Sequence, residues 1–151
     1  MKKVIFASSS GGHFIEIMTL KSLFKEYDYT LVMEKGKNNI NIDKAKYLFY
    51  ASKTNIIKYM ILTFFNIIKT IYLILTINPE VIVSTGAAAG GMVAAIGKIF
   101  GKKVIYIESL ARIYDLSKTG KFVYKFADKF YVQSSYLAKK YAKAENIGVI
   151  L

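Results

Sequence analysis

Short apolar runs alternate with segments of helical periodicity along this chain, and that alternation restricts the fold more than any other feature. The pattern begins with the apolar run Lys2–Ala7, which is followed by a polar loop and a helical segment from His13. Strands that alternate with helices pair in parallel, and the helices cover the faces of the sheet. We therefore predict an α/β fold, a Rossmann-like parallel sheet with flanking helices, in a single domain over residues 1–151.

The individual elements follow from the same periodicities. The predicted strands are Lys2–Ala7, Tyr29–Met33, Tyr47–Tyr50, Val81–Ser84, Val104–Glu108, Phe130–Gln133 and Gly148–Leu151. The predicted helices are His13–Lys25, Asn55–Ile77, Gly90–Phe100, Lys118–Ala127 and Ser135–Tyr141. The first apolar run ends at polar Ser8 and is too short for an export signal, so we interpret it as the first strand of a cytoplasmic fold.

The net charge of +12, from 22 basic and 10 acidic residues, predicts an anionic partner. Nucleic acid, acidic lipid headgroups and a phosphorylated substrate all carry such charge. The basic residues are scattered and accompany no nucleic-acid-binding motif, so we expect no nucleic acid partner. The chain has no cysteine and a single histidine, His13, which excludes a disulfide framework, a thiolate nucleophile and a multi-histidine metal site. We predict no bound metal and no cofactor.

The segment Asn55–Ile77 is apolar over most of its circumference and contains no acidic residue. At about 100° per residue, its polar side chains gather on one side of a helix. They are Asn55, Lys58, Thr63, Asn66, Lys69, Thr70 and Thr76. Such a helix can cover the sheet, or it can lie in a membrane interface with its lysines at headgroup level, whereas the polar stripe argues against a full span. On a membrane, we expect Ile61, Phe64, Phe65 and Ile68 to face the lipid.

The loops that follow the strands are the candidate binding sites, because ligands of open parallel sheets bind beyond the carboxyl ends of the strands. Backbone N–H groups and small side chains suit a phosphate or diphosphate there. The candidate phosphate-binding residues are Ser10, Gly11, Gly12, Thr85 and Gly86. A tight chain reversal or close helix packing would require the same glycines.

Two ionisable residues at strand ends are the candidate catalytic residues. His13 could act as a general base or donate a hydrogen bond to phosphate near neutral pH, or it could simply begin a helix. Glu108 ends an apolar strand, where a buried carboxylate requires either a function or hydrogen-bond partners. Capping of a neighbouring helix is the alternative for Glu108.

Four segments, taken in their order along the chain, resemble one protein family. They are SSSGGH, NPEVIVSTGAAAGGMVAAIGKIFGKKVIYIES, TGKFVYKFADKFYVQ and the terminal NIGVIL. The pattern is similar to the accessory subunit of the eukaryotic dolichol-linked N-acetylglucosaminyltransferase, and to bacterial capsule and exopolysaccharide relatives described as glycosyltransferase enhancer proteins. The resemblance implies the N-terminal, acceptor-side half of a GT-B glycosyltransferase, similar to the acceptor-binding domain of the lipid II-forming N-acetylglucosaminyltransferase.

The same resemblance implies a function and a set of partners. A separate catalytic subunit would supply the nucleotide-sugar site, and the pair would transfer a sugar from a UDP-sugar to a polyprenyl-diphosphate-linked acceptor in polysaccharide biosynthesis. Gly11, Gly12 and His13 would then face the lipid diphosphate, and Glu108 matches an acidic position of the family. Eukaryotic members carry an N-terminal anchor with no counterpart in these residues, so we expect peripheral attachment to the cytoplasmic face of the membrane through Asn55–Ile77. A noncatalytic subunit that only recruits and stabilises its partner is the alternative.

Overall fold

The computed structural model describes residues 1–36 and 42–150. The strands are β1 (Lys3–Ser8), β2 (Asp28–Glu34), β3 (Ala45–Leu48), β4 (Val81–Ser84), β5 (Lys103–Ile107), β6 (Lys129–Val132) and β7 (Ala144–Asn146). The α-helices are α1 (Gly12–Met18), α2 (Ile56–Ile77), α3 (Ala87–Ile99), α4 (Lys118–Val123) and α5 (Ser135–Lys140), and a 3₁₀ helix covers Thr19–Glu26. In the described part of the chain the strands form one parallel sheet in the order β3-β2-β1-β4-β5-β6-β7. This topology confirms the predicted α/β fold.

Side chains of the central strands alternate between the two faces of the sheet. In β1, Ile5 and Ala7 belong to a core with residues of α2 and α3, whereas Val4 and Phe6 pack with residues of α1 and the 3₁₀ helix. A further core group around Tyr106 in β5 contains residues of α4 and α5. Helices therefore cover both faces, as buried parallel strands require.

Three helices differ clearly in extent from the sequence prediction: α4 ends at Val123 rather than Ala127, and the other two differ for identifiable reasons. The segment predicted as one helix over His13–Lys25 is α-helical only to Met18 and continues as the 3₁₀ helix. At the junction the Thr19 hydroxyl donates to the Glu16 carbonyl at 2.7 Å and so competes with regular helical hydrogen bonding. Helix α3 begins at Ala87 rather than Gly90, because three alanines of high helix propensity precede its glycines.

The last predicted strand is placed wrongly. The final strand is Ala144–Asn146, not Gly148–Leu151, and Leu151 lies outside the described residues. Ala144 is buried and pairs with β6. The more apolar residues after Asn146 lie beyond the last residue that pairs with β6. There the Ile150 N–H donates to the Gln133 side-chain oxygen at 3.1 Å, so a side chain replaces a strand backbone as the partner.

The middle of the polar stripe of α2 faces the protein, whereas both ends of the stripe are exposed. Asn66 and Thr70 are only 4% and 1% exposed, and Leu73 and Ile74 join the core nearer the end of the helix. The Asn66 side chain forms two hydrogen bonds with the backbone of Phe49, in the connection between β3 and α2. Its oxygen accepts from the Phe49 N–H and its nitrogen donates to the Phe49 carbonyl, each at 2.8 Å. Polar contacts thus hold the middle of α2 against the body.

The opposite side of α2 carries large apolar side chains that are exposed. We call this set the outer face of α2: Ile57, Met60, Ile61, Phe64, Phe65, Ile68, Tyr72 and Leu75. Within the described residues, α2 is the helix that is long and apolar enough to cross a membrane by length and composition, although less than a quarter of its most apolar stretch is buried in the protein. The helix therefore has the reverse of the usual arrangement, in which the apolar side faces the core.

The contribution of the two hydrogen bonds between Asn66 and Phe49 to the free energy of unfolding can be measured. We expect Asn66→Ala to lower the free energy of unfolding by about 1–3 kcal/mol, because two backbone groups of Phe49 lose their partner. The control is Thr76→Ala, whose hydroxyl bonds only to carbonyls of its own helix and whose loss should cost less than about 0.5 kcal/mol. Urea denaturation followed by circular dichroism measures both variants. Equal losses of unfolding free energy in the two variants would show that the hydrogen bonds to Phe49 add no stability.

Candidate functional site

The loops after β1 and β4 meet at the point where the strand order reverses, which is the usual ligand site of an open parallel sheet. The Ser9 N–H donates to the Gly86 carbonyl at 3.1 Å. The Ser9 hydroxyl in turn accepts from the N–H of Ala89, in the first turn of α3, at 3.2 Å. These bonds fix the two loops against each other and place all five predicted phosphate-binding residues at one edge of the sheet.

Two of the glycines in these loops have backbone conformations that other residues rarely adopt. Gly11 and Gly86 have φ angles of 83° and 94°, and each precedes the first residue of a helix. A side chain at Gly86 would also collide with the Tyr106 hydroxyl, whereas Gly11 and Gly12 have open space around them. Gly86 is therefore required by packing, and Gly11 and Gly12 leave the loop backbone accessible to a ligand.

His13 is tied to Thr85 by a reciprocal pair of hydrogen bonds. The His13 Nδ1 lies 2.9 Å from the Thr85 carbonyl oxygen, and the Thr85 hydroxyl donates to the His13 carbonyl at 2.8 Å. Because a carbonyl oxygen only accepts, Nδ1 carries a proton. The other nitrogen, Nε2, has no hydrogen-bond partner in the described part of the chain. With 29% of the side chain exposed, this nitrogen is the one available to a ligand.

Glu16 completes this site, and the sequence interpretation did not identify it. Its Oε2 lies 3.3 Å from His13 Nδ1, and its Oε1 accepts from the Ser109 hydroxyl at 2.9 Å and the Leu110 N–H at 2.8 Å. Glu16 is 5% exposed, so the carboxylate is buried between α1 and the loop after β5. The signal was present in the sequence, because residues three apart lie on the same side of a helix.

The contact between His13 and Glu16 affects the ionisation of both groups. The Glu16 carboxylate raises the pKa of His13 above its ordinary value of 6.5, and burial only partly opposes this. The Thr85 carbonyl and the Glu108 carboxylate raise the pKa of His13 further. Burial alone would raise the pKa of Glu16, but bonds from His13, Leu110 and Ser109 hold it below the ordinary value. The pair therefore favours a protonated imidazole beside an ionised carboxylate.

Glu108 lies deeper than His13 and is 1% exposed. Its carboxylate accepts from the N–H of Ser109 at 3.0 Å, and from the N–H and hydroxyl of Ser117 at 3.0 and 3.1 Å. Burial raises the pKa of Glu108, and these hydrogen bonds offset part of the rise. A side chain at Gly120, in α4, would overlap the Glu108 carboxylate. These surroundings favour a positioning role, through the loop that begins α4, over direct contact with a substrate.

Two cavities open at this edge of the sheet and share Ser10 and Glu34 in their lining. The larger, of about 930 Å³, lies between α2 and α3, and the smaller, of about 640 Å³, lies beside Gly11, Gly12 and the end of β2. Burial raises the pKa of Glu34, although hydrogen bonds from Ser9 and Ser10 limit the rise. The loop Ser10–Gly12 therefore lies where an anionic group could meet either cavity. In the described part of the chain no cluster of three or more His, Asp or Glu side chains could hold a metal ion.

The predicted residues thus fall into three places. The loop residues after β1 and β4 come together around His13, and Glu108 is connected to His13 through Ser109 and Glu16. The predicted membrane-facing residues Ile61, Phe64, Phe65 and Ile68 lie on the outer face of α2. None of these positions establishes a role, so the roles stay predictions.

Comparison with known sequences identifies a family over most of the chain. A family model described as "Oligosaccharide biosynthesis protein Alg14 like" matches residues 22–150. A protein named UDP-N-acetylglucosamine transferase subunit ALG14 from Yarrowia lipolytica is 29% identical, over 99% of this chain and 68% of its own length. The subunit of the same name from Schizosaccharomyces pombe is 40% identical over 48% of this chain, and the match spans 37% of that relative. The mouse subunit is 23% identical over 99% of this chain.

Comparison with solved structures supports the fold. MurG from Acinetobacter baumannii, a GT-B protein, superimposes with a TM-score of 0.70 at 14% identity, over 90% of this chain and 43% of its own. UDP-N-acetylglucosamine 2-epimerase from Rickettsia bellii gives a TM-score of 0.73 at 16% identity, over 99% of this chain and 45% of its own. The chain therefore spans less than half the length of both neighbours.

The ionisation of His13 can be measured directly, since it is the only histidine in the chain. We expect its NMR titration midpoint to lie above 6.5 and to fall in Glu16→Gln, which keeps the shape but removes the charge. Because the pKa of His13 is raised by folding, the pair stabilises the protein fully below the ordinary pKa and loses this effect as the pH rises through the raised value. The control, Glu26→Gln at the exposed end of the 3₁₀ helix, should leave the midpoint unchanged. An unchanged midpoint in Glu16→Gln would contradict this account of the site.

Proposed function

Because the chain belongs to the Alg14 family, we propose that it is the acceptor-side subunit of a two-component glycosyltransferase. The complex transfers a sugar from a nucleotide-sugar, a UDP-sugar, to a polyprenyl-diphosphate-linked acceptor. The names of the curated relatives, UDP-N-acetylglucosamine transferase subunits, support both the class of reaction and the need for another subunit. The proposed setting, from the resemblance of the sequence motifs, is bacterial capsule or exopolysaccharide assembly at the cytoplasmic face of the membrane.

The observation that carries this proposal is the joined pair of loops around His13. An open glycine loop, an available imidazole nitrogen and a helix N-terminus suit an anionic ligand at the strand ends. The relatives are named as transferase subunits, which supports a partner as the other wall of the cleft. We assign the nucleotide-sugar site to that partner.

In the proposed reaction a hydroxyl of the acceptor attacks the anomeric carbon of the donor sugar, the bond from that carbon to UDP breaks, and the hydroxyl proton is released. This chain binds the acceptor diphosphate. The protonated His13 donates through Nε2, and the backbone of Ser10, Gly11 and Gly12 contributes N–H donors to the same group. Glu16 keeps the imidazole charged and oriented. Glu108 holds the neighbouring loop in place, and Thr85 and Gly86 keep the β4 loop against His13.

A noncatalytic recruiter is the alternative function, and the exposed outer face of α2 favours it. Such a subunit would dock the catalytic partner on a membrane without touching the acceptor. The two functions differ in what happens when the His13 site is altered, because a recruiter does not need that site.

We expect the isolated chain to transfer no sugar, and the complex with its catalytic partner to be active on a lipid-linked acceptor. His13→Gln should lower kcat/KM of the complex roughly 10- to 100-fold, mainly by raising KM for the acceptor, because the diphosphate loses one charged hydrogen-bond donor. Transfer of radiolabelled sugar measures activity, and size-exclusion chromatography measures assembly, which should not change. Turnover by the isolated chain would contradict the proposal. Full activity of His13→Gln would establish the recruiter instead.

Membrane attachment forms part of the proposed function and rests on α2. Each large apolar side chain placed in the interface contributes on the order of 1 kcal/mol or more. Lys58 and Lys69 lie on α2, and each basic residue near anionic lipid adds about 1 kcal/mol. The inward-facing Asn66 and Thr70 keep the polar side of α2 on the protein, which supports a helix lying along the interface.

Sedimentation with anionic liposomes tests this attachment. We expect replacement of Ile61, Phe64, Phe65 and Ile68 by serine to abolish binding, since it removes the apolar area that would enter the interface. The matched control replaces four exposed apolar side chains elsewhere, namely Ile113, Tyr114, Ile147 and Val149, and should bind as the wild type does. Circular dichroism establishes that both variants fold. Unchanged liposome binding by the α2 variant would show that this helix does not attach the protein to the membrane.

A further inference from the structure

The larger cavity is a groove between α2 and α3, with α4 along its other side. Its floor is formed by small and aliphatic side chains of α3 that recur every fourth residue and so share one side of the helix: Ala87, Gly91, Ala95 and Ile99. A side chain at Gly91 would overlap the methyl group of Thr119 in α4, so the glycine lets these helices approach. The volume of about 930 Å³ lies near the upper end of the range for small-molecule sites.

The chemistry of the groove changes along its length. The end at the carboxyl edge of the sheet is lined by Ser9, Ser10, Glu34, Lys53 and Lys118, so two lysines there outnumber one carboxylate. The end towards the C-terminus of α3 is apolar and is lined by Ile67, Met92, Ala95, Ile96, Ile99 and Phe122. At about 1.5 Å per residue, α3 makes the groove roughly 18 Å long. A ligand that matches it is anionic at one end and a linear hydrocarbon at the other.

We propose that this groove binds the first isoprene units of the acceptor's polyprenyl chain, with the diphosphate at its polar end beside Ser10. This inference rests on the proposed function and adds to it the position of the acceptor's polyprenyl chain. Lys53 and Lys118 complement the diphosphate charge at that end. Ser10 lines both cavities, and Gly11 and Gly12 connect it along the chain to His13.

The position of α2 supports a prenyl chain over other occupants. One side of this helix lines the groove through Tyr59, Thr63 and Ile67, while the other is the exposed outer face. The groove and the proposed membrane contact therefore lie on two sides of one helix, so a prenyl chain has only to pass around α2 to move from the lipid into the groove. A nucleotide or a soluble sugar has no hydrocarbon to fill the apolar end.

Holding the proximal chain in the groove would fix the depth and orientation of the diphosphate. A diphosphate tethered only to lipid moves with the bilayer surface, whereas a chain packed against α3 keeps it beside the glycine loop. Recognition of the acceptor would then depend on both ends of the groove, and a ligand with only one of them should bind weakly.

Binding of farnesyl diphosphate, a short soluble prenyl diphosphate, tests the groove without a membrane or a partner. We expect the wild type to bind it at least tenfold more tightly than inorganic diphosphate in isothermal titration calorimetry. Ala95→Trp fills the floor and should raise the Kd for farnesyl diphosphate at least tenfold, while the Kd for inorganic diphosphate changes less than twofold. The matched control is Ala142→Trp, at an exposed turn next to β7 at the far edge of the sheet, which should change neither value.

Thr63→Trp blocks the groove from α2 and guards against a local defect in α3, and circular dichroism checks the fold of each variant. The groove is overturned if farnesyl diphosphate binds no more tightly than inorganic diphosphate, or if both groove variants bind it as the wild type does. The assembled complex separates this result from the proposed function. A rise in KM for a prenyl acceptor, but not for a short-alkyl acceptor, supports the groove, and transfer to neither acceptor by the wild type would remove the proposed function itself.

Discussion

The adjacency of β1 and β4 is the constraint on which the rest of the site depends. Because the strand order reverses between them, the loops that follow both strands emerge at one edge with a gap between them. Hydrogen bonds from Ser9 to Gly86 and between Thr85 and His13 close that gap with protein atoms. The same bonds keep a proton on His13 Nδ1 and leave Nε2 available to a ligand. Geometry and protonation of the site therefore have one origin.

Helix α2 determines how this site is presented to its surroundings. The helix follows β3 and leads into β4. It therefore runs beside α3, with its N-terminal end at the carboxyl edge of the sheet. Asn66 holds it by a polar contact, which leaves its apolar residues free to face outward. An ordinary amphipathic helix on this sheet would have buried those residues and closed the groove. The hydrogen bonds between Asn66 and Phe49 therefore allow an apolar outer face and a groove on the same helix.

The sequence predicted the architecture, and it predicted that the candidate loop residues lie at one edge of the sheet, because both depend on periodicity and on the residue types at the end of each strand. The strand runs of β1, β4 and β5 and the glycine loops are local features of that kind. Glu16 could not be recognised as readily, because its importance comes from contacts with Ser109 and Leu110, which are more than ninety positions away. Glu108 was a candidate because it lies at a strand end, but its hydrogen bonds with Ser117, nine positions away, could not be predicted from that position. The error at the last strand arose because β7 is short and polar, so its pairing with β6 rather than its composition makes it a strand.

The exposed side of α2 also influences the thermodynamics of the free subunit. In water these side chains are largely exposed in the folded protein, so α2 adds to the hydrophobic driving force mainly through Leu73 and Ile74. The heat capacity change of unfolding is then smaller than the length of the chain suggests, because it scales with newly exposed apolar area. Any surface that covers this side in the native state binds the folded form in preference to the unfolded one and raises its apparent stability by mass action. The stability of this protein is therefore set partly by its surroundings, and it is lowest when the chain is alone in solution.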